Sequence, residues 1–312
     1  MKQLLLIDAN SIIHRSFHAL PAFTGPAGEP TGALYGIASI LLKLWREDRP
    51  AYAAALFDRP EPTFRKQEYA EYKAQRPPAP DDLIAQIIEA HHLFKAFGIA
   101  TFEKPGFEAD DLIATLAEKF KQEADLQTVI LTGDRDTLQL IDGDHIVVRT
   151  FNKGVSDTTI YDEKAVMEKY GFAPSLMVDY KALVGDPSDN IKGVSGVGPK
   201  TATELIKRFG GIEDIFRAVP NDPKLAARLG GREHEAEFSK KLVVLDRHVP
   251  LELAGIGDLA IPETAPDVEE YFKEKGFVTL LKRFEKEGSV PARAEHAKTK
   301  KANPPSRQEA MF

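Results

Sequence analysis

The chain has 312 residues, 43% hydrophobic and 29% charged, an ordinary composition for a soluble protein and enough for two domains or one large α/β domain. It contains no cysteine, which excludes a disulfide framework, a zinc–thiolate centre and a thiol nucleophile, and which suits a reducing cytoplasm. A net charge of −7 weighs against a nucleic-acid partner unless the negative charge is gathered at a cation site, so the positions of the acids matter more than their number.

Residues 4–8 (LLLID) are a short apolar run ending in an acid and predict a buried strand. The run is too short for a signal peptide, and no stretch of the chain is long and apolar enough to predict a membrane span. Residues 35–45 follow with helical spacing, and residues 51–58 (AYAAALFD) predict a second strand that again ends in aspartate. Residues 60–80 are rich in proline, charge and aromatics and have no period. Residues 81–97 predict an amphipathic helix stopped by Gly98, and residues 108–120 predict another with three acids in its first turn. Residues 128–136 (TVILTGDRD) predict a third strand ending in D-x-D. Strands alternating with helices imply an α/β fold with a mostly parallel sheet flanked by helices. In such sheets ligands sit beyond the carboxyl ends of the strands, and all three strand ends carry aspartate.

From about residue 174 the pattern turns helical, through 174–185 and 186–210 to helices near 211–218, 234–246 and 266–286. Residues 289–312 are polar and basic and predict a disordered tail. The expected division is therefore a core over 1–173, a helical region over 174–288 and a tail over 289–312.

Nine acids stand out: Asp8, Asp58, Glu108, Asp110, Asp111, Asp134, Asp136, Asp186 and Asp189. Taken singly they are helix caps and turn formers. Together, at one end of alternating strands, they crowd charge that only cations offset. Hard oxygen donors select Mg²⁺ or Mn²⁺. A pair of such ions can activate a water and stabilise the leaving oxygen of a phosphodiester. Asp134 and Asp136, two apart at a strand end, are expected to share a cation.

Residues 193–202 (GVSGVGPKTA) form a glycine-rich turn opening a helix, with Lys192, Lys200, Lys207 and Arg208 nearby. Alone this is an ordinary helix–turn–helix packing unit. Beside the acids it predicts a helix-hairpin-helix whose exposed amides hold a phosphate without reading bases.

The segments LLIDANSIIHRSFHAL, FDRPEPTFRKQEYAEYKAQR, GFEADDLIATLA, LTGDRDTLQL and YKALVGDPSDNIKGVSGVGPKTA closely resemble the 5′→3′ nuclease domain of bacterial DNA polymerase I and the related phage flap endonucleases. The resemblance runs from Met1 to about residue 290. It implies a PIN-like nuclease core with a helical arch over about 60–97, then a helix-three-turn-helix DNA-binding region. The implied activity is metal-dependent 5′→3′ exonuclease and flap endonuclease cleavage of DNA, and of RNA primers, at single-strand/double-strand junctions in replication and repair. Two or more ions are implied. Asp58, Glu108, Asp110 and Asp111, with Asp8 nearby, would hold one, and Asp134, Asp136, Asp186 and Asp189 another. K⁺ is a further candidate ion at the hairpin. Lys73 and Arg76 match the family's EYKxxR segment and are expected at the scissile phosphate, with Tyr72 stacking on a base. Lys181 matches a lysine just before the second acid group, and Arg65 and Lys66 are expected to line the threading region. Lys192, Gly193, Gly196, Gly198, Lys200 and Thr201 are the expected duplex grip, and His14 is expected to pack. The expected partners are flapped, nicked or gapped duplex DNA bound by a monomer. Because the chain stops at Phe312 without a polymerase, a freestanding nuclease is expected. Gln308, Met311 and Phe312 resemble the short peptide by which bacterial replication proteins dock on the sliding clamp. A PIN-group ribonuclease is the enzymatic rival and a silent junction-binding protein the non-enzymatic one. The hairpin argues against the first, and the complete acid set argues against the second.

Overall fold

Three apolar runs lie at the centre of a six-stranded sheet in the computed structural model, which describes residues 1–287 apart from 153, 155, 156, 263 and 264. The strands are β1 (Lys2–Asp8), β2 (Tyr52–Phe57), β3 (Ala100–Glu103), β4 (Leu126–Thr132), β5 (Ile146–Phe151) and β6 (Thr158–Tyr161). Their order is β3-β2-β1-β4-β5-β6, parallel except for β6, which runs antiparallel to β5. The central strands are near-continuous apolar runs because both faces are covered. Leu4 and Leu6 of β1 enter one core and Leu5 and Ile7 the other, as the two-residue period of a strand dictates.

Among the described residues the helices are α1 (Ala9–Ala19), α2 (Gly32–Glu47), α3 (Phe64–Glu68), α4 (Asp81–Ala96), α5 (Ala109–Phe120), α6 (Glu163–Tyr170), α7 (Met177–Val184), α8 (Pro199–Phe209), α9 (Ile212–Ala218), α10 (Pro223–Leu229), α11 (Glu233–Val243), α12 (Pro266–Glu274) and α13 (Val278–Glu287). The core containing Leu5 joins α1, α2 and α4 to Val268, Phe272 and Leu280 of the last two helices. The closing helices thus return to the sheet and do not extend the helical region. The other core runs from the sheet through α5 into α7, α8 and α9 without a break, through Leu183, Val194, Ile206 and Ile215. Between residues 60 and 97, where a helical arch is expected, the chain forms the five-residue α3, turns over 70–75, a proline-rich link and α4.

The sheet order fixes the place of the site. The chain lays β1, β2 and β3 outward in one direction, then returns to start β4 on the far side of β1. The strand order reverses there, and a crevice opens beyond the carboxyl ends of β1 and β4. Asp8 closes β1, and Asp134 stands two residues past β4.

Candidate active site

Local structure explains why each acid reaches this crevice. Asp8 caps α1, its Oδ1 accepting from the Ser11 amide at 3.0 Å, while Thr132 Oγ1 donates to its Oδ2 at 2.6 Å. Thr132 Oγ1 in turn accepts from the Asp134 amide at 2.9 Å, which ties the ends of β1 and β4 together. Asp58 follows β2; its amide donates to Asn10 Oδ1 at 3.1 Å, and its Oδ1 accepts from the Ala109 amide at 2.7 Å, at the start of α5. Asp110 lies one residue into that helix, and its buried Oδ1 has no hydrogen-bond partner. These four carboxylates and Glu108 line a cavity of about 710 Å³ together with His14, Arg15, His18, Lys73 and Arg76. Burial, then Asp58, pushes the Asp8 carboxyl up to about 7. Burial, then Asp8 and Asp134, pushes Asp110 well above the usual carboxylate range. His14 is held below its usual range by burial, His18 and Arg76.

The remaining acids differ. Lys181 Nζ ion-pairs with Asp136 and donates to Asp186 Oδ2 at 2.7 Å. Burial pushes Asp186 up, but Lys181 and two bonds from Ser188 outweigh it and hold the carboxyl low. Asp189 accepts from Arg76 Nη2 at 2.6 Å and from the Tyr72 hydroxyl at 3.0 Å. Lys73 Nζ donates to Glu108 Oε1 at 2.9 Å and lies 3.7 Å from Asp189. Residues 69–76 form a strap docked on the 186–190 turn: the Lys73 amide donates to Asp189 O, Gln75 Nε2 to Pro187 O and Ser188 O, and Asn190 Nδ2 to Glu71 O.

This geometry corrects several expectations. Asp134 lies beside Asp8 and Asp110, on both of which its charge acts, whereas Asp136 is ion-paired to Lys181. Asp136 opens a 3-10 turn past the strand (Asp136–Leu140), so the strand's two-residue period no longer aligns the pair. Asp111 is fully buried and faces away from the cavity, bound to Arg65 Nη1 and Nη2 at 2.7 and 2.8 Å. Arg65 is 1% exposed and therefore lines no threading path. Tyr72 is 3% exposed, packed with Ile191, Leu242 and Val243, so its ring offers no face to a base. Its hydroxyl bridges Glu108 Oε2 and Asp189 Oδ2, both at 3.0 Å, and burial followed by those two acids pushes it upward, so it remains a protonated donor. Lys66 Nζ caps the Ala70 and Tyr72 carbonyls at 2.6 and 3.0 Å and holds the strap's turn.

At the hairpin, Gly196, Gly198 and Lys200 are exposed and Thr201 is half-buried. Gly198 precedes Pro199 at the first position of α8, and a Cβ there would meet nothing within 4 Å. Gly193 has another purpose: it is buried with φ +67°, and a Cβ would stand 2.3 Å from the Gly185 amide nitrogen, so it lets two backbones touch. Lys192 is exposed and pairs with Glu71 at 3.4 Å. Asn10, Ser11 and Thr132 were missed as site residues. Their only sequence signal is adjacency to the strand-end aspartates.

The donor set fits divalent cations. Asp8 and Asp110, buried and raised by the neighbouring acids, one with an unpartnered oxygen, are hard oxygen donors short of positive charge. Among the described residues no three His, Asp or Glu side chains are already closed around an ion position.

Residues 3–171 match the family described as 5′-3′ exonuclease, N-terminal resolvase-like domain, and residues 172–267 match 5′-3′ exonuclease, C-terminal SAM fold. A 5′-3′ exonuclease of Aquifex aeolicus is 38% identical over 92% of this chain and 96% of its own length. DNA polymerase I of Bacillus caldotenax is also 38% identical over 92% of this chain, which spans 33% of that polymerase. Among solved structures, T5 5′-exonuclease with bound zinc aligns with TM-score 0.62 and 25% identity over 78% of this chain and 90% of its own. The Rad2 catalytic core in complex with DNA shares the fold at TM-score 0.56 and 18% identity, over 91% of each chain. Both halves of the chain, the sheet with its acid-lined crevice and the helical region with its hairpin, thus belong to the 5′-3′ exonuclease family.

Proposed function

We propose that the chain is a structure-specific 5′→3′ exonuclease and flap endonuclease that hydrolyses DNA, and RNA primers, at single-strand/double-strand junctions. The observation that carries this reading is the group Asp8, Asp58, Asp110 and Asp134 at the strand-order reversal, which shares one cavity with Lys73 and Arg76 and in which a buried oxygen of Asp110 has no partner among the described residues. Divalent ions, Mg²⁺ or Mn²⁺, would be held by these four acids with Glu108, and when bound they supply Lewis-acid activation of water and of the phosphoryl oxygen. The chain's own residues do the remainder. Lys73 and Arg76 set positive charge against the scissile phosphate, where it acts most strongly as negative charge develops. Lys181 and Arg76 pair with Asp136, Asp186 and Asp189, which lowers the negative charge that a polyanion meets on that flank of the site. The hairpin around Gly196, Gly198, Lys200 and Thr201 grips the duplex by its phosphates, with K⁺ as its ion. Substrates are flapped, nicked or gapped duplexes bound by a monomer in the cytoplasm; no helix among the described residues is long and apolar enough to cross a membrane. The test is cleavage of an end-labelled double-flap DNA with Mg²⁺ and with EDTA. Mg²⁺-dependent products cut at the junction are expected, and an intact substrate in both conditions overturns the reading.

Gln308, Met311 and Phe312 lie outside the described residues. Docking of this terminus on a sliding clamp is part of the proposal because Met311 and Phe312 are the only large apolar residues after Val290. A peptide of residues 300–312 should bind the bacterial clamp without DNA at about micromolar affinity, near −8 kcal/mol. Equal binding by a Met311→Ala/Phe312→Ala peptide would remove the idea.

A further inference from the structure

The buried pair Arg65–Asp111 does not line the cavity and meets it only through Glu108. A guanidinium has five N–H donors and no acceptor. In Arg65 Nε donates to Leu242 O at 2.8 Å, Nη1 to Asp111 Oδ2 at 2.7 Å and Glu108 Oε2 at 3.4 Å, and Nη2 to Asp111 Oδ1 and Val244 O at 2.8 Å each. Asp111 is equally saturated: besides the two guanidinium bonds, Oδ2 accepts from the Glu108 amide at 3.1 Å and Oδ1 from the Asp246 amide at 2.9 Å. A carboxylate has about four acceptor sites, and these bonds fill them, leaving none for a cation.

The bonds join three separate parts of the chain. Arg65 lies on α3, the root of the strap that carries Lys73 and Arg76. Asp111 sits in the first turn of α5, beside Glu108 and Asp110. Residues 242–246 are the end of α11 and the segment after it, in the helical region. We propose that Arg65 and Asp111 are positioning residues: the pair sets the strap that carries Lys73 and Arg76 against the helical region, and neither side chain touches metal or substrate. The inference rests on the nuclease reading for its effect on rate, but its geometry stands independently. Loss of the pair would free the root of the strap, whose Lys73 and Tyr72 are held at the other end by Glu108, while the start of α5 keeps its own bond from the Ala109 amide to Asp58.

The test uses the full chain with Asp111→Asn, Arg65→Lys and the double variant Arg65→Met/Asp111→Leu. The double variant removes both buried charges, so a fold lost through one unpaired charge is recovered in it. Three readouts are taken: Mn²⁺ affinity by calorimetry, amide exchange over residues 69–76, and single-turnover cleavage. The expected result in every folded variant is Mn²⁺ affinity within threefold of wild type, strap exchange at least tenfold faster and cleavage at least tenfold slower. Asp110→Asn, in contrast, should weaken Mn²⁺ beyond threefold and leave strap exchange unchanged. If Asp111→Asn, or the double variant, weakens Mn²⁺ beyond threefold, Asp111 is a ligand and the proposal falls. It falls equally if a folded variant keeps wild-type strap exchange or wild-type rate. If the wild-type chain itself cleaves nothing with Mg²⁺, the nuclease reading fails, while exchange and calorimetry still judge the pair.

Discussion

The two acid groups flanking the crevice are built of the same residue type and behave oppositely. Asp136, Asp186 and Asp189 are ion-paired within the chain, to Lys181 and Arg76. Among the described residues Asp8, Asp58, Asp110 and Asp134 form no ion pair with a basic side chain, and the desolvated Asp110, with a partnerless Oδ1, is offset only in part by Lys73. Counting carboxylates does not locate an ion; the decisive quantity is negative charge that no lysine or arginine offsets. By that measure the first group is where an external cation gains most.

Substitution breaks this comparison most directly. Asp110→Asn should slow single-turnover cleavage at least a thousandfold, about 4 kcal/mol of barrier. The same change should leave Tm in EDTA equal to or above wild type, because it removes a buried carboxylate crowded by Asp8 and Asp134. Asp186→Asn should have the opposite sign in EDTA. Lys181 loses a charge-assisted bond of about 1–2 kcal/mol, which lowers Tm by about 3–6 °C. Matching Tm shifts in the two variants would show that the groups do not differ as argued.

Lys73→Ala should slow the chemical step about a hundredfold, or about 2.7 kcal/mol, measured as a single-turnover rate at saturating enzyme. Here burial would lower the ammonium's pKa, but Glu108 and Asp189 outweigh it, so the group remains charged and ready to exchange a carboxylate for a phosphate. An unchanged rate would confine Lys73 to holding the strap.

Much of this was legible in the sequence. Apolar runs ending in aspartate announced β1, β2 and β4 and the end of the sheet where a site would form. What the sequence could not reveal is how the acids divide. Asp110 and Asp111 are neighbours in one helical turn, yet about 100° of rotation per residue sends one into the cavity and the other into the protein. Arg65 sits in a polar, proline-rich segment that reads as surface, and only tertiary placement buries it. The same holds for Tyr72, whose motif suggests stacking but whose hydroxyl bridges two acids. The short β3 and β6 carry four residues each, too few to set a period.

The first group should also register in the pH dependence of stability. Asp8 is pushed up to about 7 in the folded chain from an ordinary value of 3.8, so folding favours its protonated form. The sign follows from proton linkage: the contribution is complete below about 4 and is lost as pH rises through 7. In EDTA, Tm should therefore fall by at least about 3 °C between pH 5 and pH 8, the shift of about 1 kcal/mol in a chain of this size. Mg²⁺ should flatten the slope, because a bound cation favours the ionised carboxylates. A Tm that rises over this interval in EDTA would contradict the assignment of Asp8 to an uncompensated site.

The smallest expected effect separates the crevice from the hairpin. Lys200 is exposed at the second residue of α8, beside Gly198, where a Cβ would meet nothing and a phosphate has room to approach the helix start. If this end of the molecule only grips backbone, Lys200→Ala should weaken every duplex-containing substrate alike, since phosphate contacts carry no base information. Each phosphate neutralised releases condensed counterions, so the slope of log affinity against log salt should become shallower by up to about one unit. The rate at saturating enzyme should stay within about twofold, because Lys200 lies outside the cavity that holds the reacting phosphate. Binding in Ca²⁺ at three salt concentrations, on two flap substrates of unrelated sequence, measures both quantities. An affinity loss confined to one sequence, or a slope unchanged in both, would take the hairpin out of the grip and leave the crevice and strap to hold the duplex alone.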